Sequence, residues 1–159
     1  MTDTAVTLLF TERPGAVDRI VSLLRRRGFP VGGMTIERTH RAGTSRMTVS
    51  VRQPDAVEQV TRHLERLADV IEARPAGQNA ICREYALARV HVDEAQRDGI
   101  SALMASFDAR PVSTGAGTIV LEATGTSERI DALFAELAPY GIEESARTNT
   151  IALGCGAGA

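Results

Sequence analysis

The groups best placed to do chemistry in this sequence are backbone amides rather than acids, bases or nucleophiles. The tract Leu8-Leu9-Phe10-Thr11-Glu12-Arg13-Pro14-Gly15-Ala16-Val17-Asp18-Arg19-Ile20 reads as an apolar strand, a tight Pro-Gly loop and the first turn of a helix. The first N–H groups of a helix have no acceptor inside it and lie at the positive end of its dipole. That combination attracts an anion, here the carboxylate of a small metabolite. Gly15 permits close approach to the backbone. Pro14 cannot donate, but it fixes the turn and suits the first helical position.

No second constellation accompanies this loop. Cys82 and Cys155 are far apart and lack companions at metal-ligand spacing, so both read as reduced cytoplasmic thiols. His40, His63 and His91 are equally scattered, and His63 reads as a surface residue. Glu122, Glu143 and Glu144 are possible acid/base groups, but no nucleophile or metal-ligand cluster joins them. A net charge of -2 argues against nucleic acid as a partner, and 4% aromatic content without Trp gives no base-stacking platform. All 18 basic residues are Arg, a compositional bias. No apolar run is long enough to span a bilayer, and Asp3 before the first apolar stretch argues against a signal peptide. A ligand loop without catalytic equipment points to a cytoplasmic sensor.

The loop must be held by ordinary secondary structure. Thr4–Phe10 has strand character, and Val17, Ile20, Val21 and Leu24 follow at helical spacing. Arg25, Arg26 and Arg27 suit the negative end of that helix, and Gly28 suits its C-terminal cap. Two strands, Val31–Arg38 and Ser45–Val51, flank the polar loop Thr39–Thr44. Alternation sets Arg46, Thr48 and Ser50 on one face of the second strand and Met47, Val49 and Val51 on the other. A helix opened by Pro54 and Asp55 carries Val57, Val60, Leu64 and Leu67, and Ala68–Ala73 resumes extended chain. The order is β-α-β-β-α-β.

After the polar linker Arg74–Asn79 the same order returns. It runs through a strand at Arg83–Val92, a helix at Glu94–Phe107, a hairpin of Arg110–Ser113 and Thr118–Ala123, a helix at Ser127–Leu137, and extended chain over Ile142–Leu153, kinked near Thr148-Asn149. The expected fold is α+β: two ferredoxin-like βαββαβ domains in tandem, spanning residues 1–75 and 80–155, with a frayed Gly-rich tail from Gly154. Domains this small are marginal alone and leave a sheet face and edge strands to be covered, so a symmetric dimer is expected.

Several collinear segments resemble one family. They include Arg13-Pro14-Gly15-Ala16-Val17-Asp18-Arg19, Arg26-Arg27-Gly28-Phe29, Met34-Thr35-Ile36, Ser45-Arg46-Met47-Thr48-Val49 and Leu64-Glu65-Arg66-Leu67-Ala68-Asp69-Val70-Ile71. The likeness continues through Arg83-Glu84-Tyr85-Ala86-Leu87, Ile130-Asp131-Ala132-Leu133 and Ala146-Arg147-Thr148, covering about residues 5 to 153. Together they resemble the small, regulatory subunit of acetolactate synthase. The resemblance implies an N-terminal ACT domain and a C-terminal domain of related fold. It also implies no activity of its own and no cofactor on this chain. The partner would be a large catalytic subunit carrying thiamine diphosphate, Mg and FAD. It would be activated by this chain and restrained through it by valine, in branched-chain amino acid biosynthesis.

In that family the amino-acid effector lies between two subunits, one giving the loop and the other the end of the helix. Carried over, the loop is Thr11, Glu12, Arg13, Pro14, Gly15, Ala16 and Val17, with the amides of Gly15, Ala16 and Val17 toward the carboxylate; the wall is Phe29, Pro30 and Val31. Valine-sensitive members carry Asn where this chain has Glu12 and Pro30. Glu12 only accepts hydrogen bonds, and Pro30 removes both an amide side chain and a backbone donor. A weakened valine response, or a different effector, is therefore expected. Asp69, Arg147 and Arg46 are further candidates for interface contacts. The alternative is a free-standing ACT-type sensor acting on transcription or transport, against which stands the lack of a DNA-reading helix-turn-helix or basic face.

Overall fold

In a computed structural model that describes residues 4–77 and 80–154, period-two patterns become strands and the apolar stripes become helices. Asp3, Gln78, Asn79, Cys155 and the tail beyond Gly154 lie outside the described residues. The first unit runs β1 (Thr4–Thr11), α1 (Ala16–Arg26), β2 (Val31–Arg38), β3 (Thr44–Val51), a 3-10 turn at Pro54–Ala56, α2 (Val57–Leu64) and β4 (Val70–Pro75). Its antiparallel sheet has the order β2-β3-β1-β4, the split-βαβ arrangement that the resemblance implies for this unit.

Register explains its core. Val6 lies opposite Val49 and Leu8 opposite Met47, so all four side chains share the face beneath the helices. Ile20 and Leu24 of α1, and Val60 and Leu64 of α2, complete that buried cluster. Each fully buried side chain of this size contributes roughly 1.5–3 kcal/mol. The buried stripe of α1 is Ala16, Ile20 and Leu24 rather than one centred on Val17, which is 37% exposed. The helix starts two positions later than it would with Pro14 at its first position. Gly15 takes φ 78, ψ 1 as its N-cap, a left-handed conformation no helical residue has, so Pro14 is left outside.

The second unit repeats the plan: β5 (Ala80–His91), α3 (Arg97–Phe107), β6 (Arg110–Gly115), β7 (Thr118–Gly125), α4 (Ser127–Leu137), a 3-10 turn at Ala138–Tyr140 and β8 (Ile142–Arg147). Its strands follow the order β6-β7-β5-β8, and Val90, Ile100, Leu121, Ile130, Leu133 and Leu137 form a separate core. α3 begins at Arg97 rather than Glu94: residues 94–96 form a turn before it, across which the Gln96 N–H donates to Asp93 Oδ1 at 2.8 Å and the Asp93 N–H to Gln96 Oε1 at 3.1 Å. A last strand, β9 (Ile151–Gly154), follows the break at Thr148-Asn149. By packing, the chain divides between residues up to Ile81 together with those from Asn149, and Cys82–Thr148. The break near residue 149 thus marks the chain's return to the first unit. Among the described residues, no helix is long and apolar enough to cross a membrane.

That return changes the sheet face away from the helices. Thr48 and Ser50 belong to it, yet they are 0% and 3% exposed. Asn149 lies over them: Ser50 Oγ donates to Asn149 Oδ1 at 3.1 Å, and Thr35 Oγ1 donates to the Thr150 carbonyl at 3.4 Å. A Cβ on Gly33 would stand 2.6 Å from Asn149 Oδ1 and 2.9 Å from its Cγ, so a larger residue there would displace the Asn149 side chain. Among the described residues, Glu37 Oε2 and Asn149 Nδ2 are buried and have no hydrogen-bond partner. Burial pushes the Glu37 carboxyl up to about 7, opposed by the Thr48 hydroxyl and by Arg46.

Two outcomes follow from this face. Gly33→Ala should lower stability in chemical denaturation by about 1–3 kcal/mol, since Asn149 must move away. For Glu37, the folded value lies above the unfolded one, so the protonated form is the stabilising one. Its contribution is complete below the ordinary carboxylate range and is lost as pH rises through about 7. Denaturation midpoints of the native chain should fall between pH 5 and pH 8 more than those of Glu37→Gln.

Candidate functional site

The loop between β1 and α1 is a type II turn. Pro14 takes its second position and Gly15, with positive φ, its third. The Ala16 N–H closes the turn by donating to the Arg13 carbonyl at 3.0 Å, and the Arg19 N–H donates to the Gly15 carbonyl at 2.9 Å. Of the three amides expected to face a carboxylate, that of Ala16 is therefore already engaged. Among the described residues, no acceptor takes the N–H of Gly15, Val17 or Asp18. These three stand at the α1 N-terminus, where the dipole is positive.

Three further bonds pin the loop to its surroundings. The Thr11 N–H donates to the Asp69 carbonyl, the Glu12 N–H to the Gly43 carbonyl and the Arg13 N–H to the Thr11 carbonyl, all within 2.9 Å. The Glu12 carboxylate turns toward β3, where Ser45 Oγ donates to its Oε1 at 2.5 Å. It is thus held by a hydroxyl rather than left free beside the amides.

A side chain that sequence spacing did not single out organises this corner. Arg19 lies four residues after Gly15, and helix side chains lean toward the N-terminus, so its guanidinium reaches back over the turn. Its Nη2 donates to the Pro14 carbonyl at 3.2 Å and its Nε to Asp69 Oδ2 at 2.6 Å. A Cβ on Gly15 would lie 2.8 Å from Arg19 Nη1. The hydrogen bond from Arg19 holds the Asp69 carboxyl below its usual range, against the opposing effect of burial. The helical spacing of Gly15 and Arg19 was the available signal; the pairing with Asp69, fifty positions away, left none.

The second half of the expected site lies at the other end of α1. Gly28, at φ 65, ends the helix: its N–H donates to the Arg25 carbonyl and the Phe29 N–H to the Leu24 carbonyl. Phe29 packs against the core and meets the His63 ring edge-on at 5.5 Å, which leaves His63 half-buried rather than on the open surface. The Pro30 carbonyl accepts from the Arg52 N–H at 2.8 Å, and the Val31 N–H donates to the Phe29 carbonyl at 2.9 Å. Phe29, Pro30 and Val31 therefore offer apolar surface and no spare backbone donor. Eleven helical residues separate loop from wall, about 16 Å of rise. The structure does not bring Glu12, Pro14, Gly15, Ala16 and Val17 together with Phe29, Pro30 and Val31 within one chain.

The remaining candidates are spent internally. Arg147 donates to Glu84 and Asp131, both at 2.5 Å, and to the Ser127 carbonyl at 3.1 Å, tying β8 to β5 and to the start of α4. Tyr85 Oη donates to Glu122 at 2.7 Å, and Arg89 pairs with Glu144. Among the described residues no three His, Cys, Asp or Glu side chains gather as a metal site. Cys82 is half-buried, and burial pushes its thiol up.

Comparison with known proteins follows this geometry. A family model described as the small subunit of acetolactate synthase matches residues 83–156, and an ACT domain model matches residues 12–73. The chain is similar to the acetolactate synthase small subunit of Bacillus subtilis, at 36% identity over 95% of this chain and 90% of that one. It is similar also to that of Mycolicibacterium smegmatis, at 34% identity over 95% and 90%. The crystal structure of the acetolactate synthase small subunit from Thermotoga maritima superposes with a TM-score of 0.88 at 27% identity, covering 96% of this chain and 97% of that one.

Asp69→Asn should release Arg19 from the turn and lower the denaturation midpoint near neutral pH. Because the folded carboxyl is depressed, its contribution is present above the ordinary carboxylate range and is lost as pH falls through the folded value. The gap between native and variant midpoints should therefore narrow below about pH 4.

Proposed function

This chain belongs to the family of acetolactate synthase small subunits, and from that premise we propose that it binds and activates the large catalytic subunit without making product itself. Thiamine diphosphate, magnesium and FAD reside on that partner, and the reaction serves valine, leucine and isoleucine formation in the cytoplasm. The chain works as a homodimer. Its first unit receives a small amino-acid effector at the seam between copies, and occupancy biases how the dimer engages the catalytic subunit.

One observation carries the effector reading. The loop with three unengaged amides and the apolar wall sit at opposite ends of α1, about 16 Å apart. Neither half is a pocket alone, but a second copy running the other way would set the loop of one beside the wall of its partner. Gly15 and Val17 amides supply carboxylate donors, the Arg19 guanidinium adds positive charge, and Phe29 and Val31 supply apolar contact. Val17, exposed in the single chain, would be covered in this seam.

Glu12 and Pro30 weaken the grip on valine. The Glu12 carboxylate offers no donor and is tied to Ser45, and Pro30 offers neither amide nor N–H. A lost hydrogen bond to a charged group costs roughly 1.5–3 kcal/mol, about ten- to a hundredfold in affinity.

Reconstitution tests the reading. The chain alone, given pyruvate and thiamine diphosphate, should make no acetolactate, and adding it to the catalytic subunit should raise that subunit's rate. Valine should inhibit the assembled synthase weakly, and Glu12→Asn with Pro30→Asn should strengthen inhibition by about tenfold or more. Turnover by the pure chain would overturn the regulatory assignment. Tight stoichiometric valine binding by calorimetry would overturn the weakened grip.

A further inference from the structure

The second unit contains a cavity beside α3. In the first unit, Phe29, Val31 and Met34, at the start of the strand after α1, pack onto the core. The corresponding strand, β6, reads Arg-Pro-Val-Ser-Thr-Gly and is exposed along its whole length. α3 likewise buries only Ile100, where α1 buries three residues. Small and outward-facing residues therefore leave a gap of about 460 Å³ between α3 and the β6–β7 hairpin.

The lining has one chemical bias. Val92, Ile100, Met104 and Ile119 form apolar walls, and Arg97, at the first turn of α3, is the single charged residue among the lining side chains. Among the described residues its guanidinium has no hydrogen-bond or ion-pair partner. Asp93, before α3, accepts from the Gln96 N–H. Thr118 adds a hydroxyl at the mouth. Ligand cavities have this volume and this balance of apolar wall with few polar groups.

We propose that this cavity is a second effector site, which takes a small organic anion with an aliphatic body against Ile100, Met104 and Ile119 and its carboxylate on Arg97. It is separate from the β1–α1 loop and stands whether or not that loop binds an amino acid. A guanidinium at the rim matches a carboxylate bidentately, and the apolar walls reward removal of an alkyl chain from water.

Methyl NMR on the full chain, labelled at Ile and Met, tests this with hexanoate as the probe and 1-hexanol as its neutral counterpart. Hexanoate at millimolar concentration should shift Ile100, Met104 and Ile119 and leave Ile20 and Ile36 unmoved. Arg97→Gln should weaken that binding about tenfold while leaving the fold intact, since Arg97 is exposed. Equal shifts from 1-hexanol would overturn the anion preference. No response, or one confined to the first unit, would overturn the site. If the same three methyls respond to the catalytic subunit but not to hexanoate, the cavity is a protein-docking surface and the proposal falls.

Discussion

A single left-handed residue governs the first unit's functional corner. Gly15 must sit at positive φ for the chain to leave β1, turn through Pro14 and start α1 with its amides outward. A side chain there would be strained by the backbone and would also strike Arg19. The ion pair of Arg19 with Asp69 then fastens α1 to the chain entering β4. Turn, helix dipole and guanidinium converge because one residue lacks a Cβ. The positive character of the loop is built into the fold and does not depend on any ligand.

Most of the architecture was legible in local pattern. β2 and α4 coincide with the spans read from alternation and from helical spacing, and Gly28 caps α1 as its type suggests. Periodicity of this kind is short-range, and the buried stripes report it directly. The starts of α1 and α3 were less legible. At α1 the left-handed Gly15 displaced Pro14; at α3 the Asp93–Gln96 exchange of hydrogen bonds formed a turn before the helix. Both are capping decisions made by one or two residues, where propensity is weakest.

What the sequence could not convey was long-range partnership. Asp69 and Arg147 read as candidates for interface contacts, and nothing local announced that each also pairs with a residue far along the chain. The polar face of β3 looked half-exposed by alternation, yet Asn149, ninety-nine positions from Ser50, covers it. The cavity beside α3 was hidden for the opposite reason. It arises from what β6 fails to supply, and a gap in packing has no residue to announce it.

The return of residues from Asn149 onward to the first unit has a consequence for biogenesis. The first unit is discontinuous, with the whole of Cys82–Thr148 inserted within it. During synthesis its sheet emerges early, but the segment that shields Thr48 and Ser50 leaves the ribosome only after the whole of Cys82–Thr148. The nascent ACT domain must wait, with one polar face wet, until the inserted unit has been translated. Maturation of the first unit is in this way timed by completion of the second, so a product terminated just before Asn149 would hold an entire second unit and a first unit whose polar face is bare.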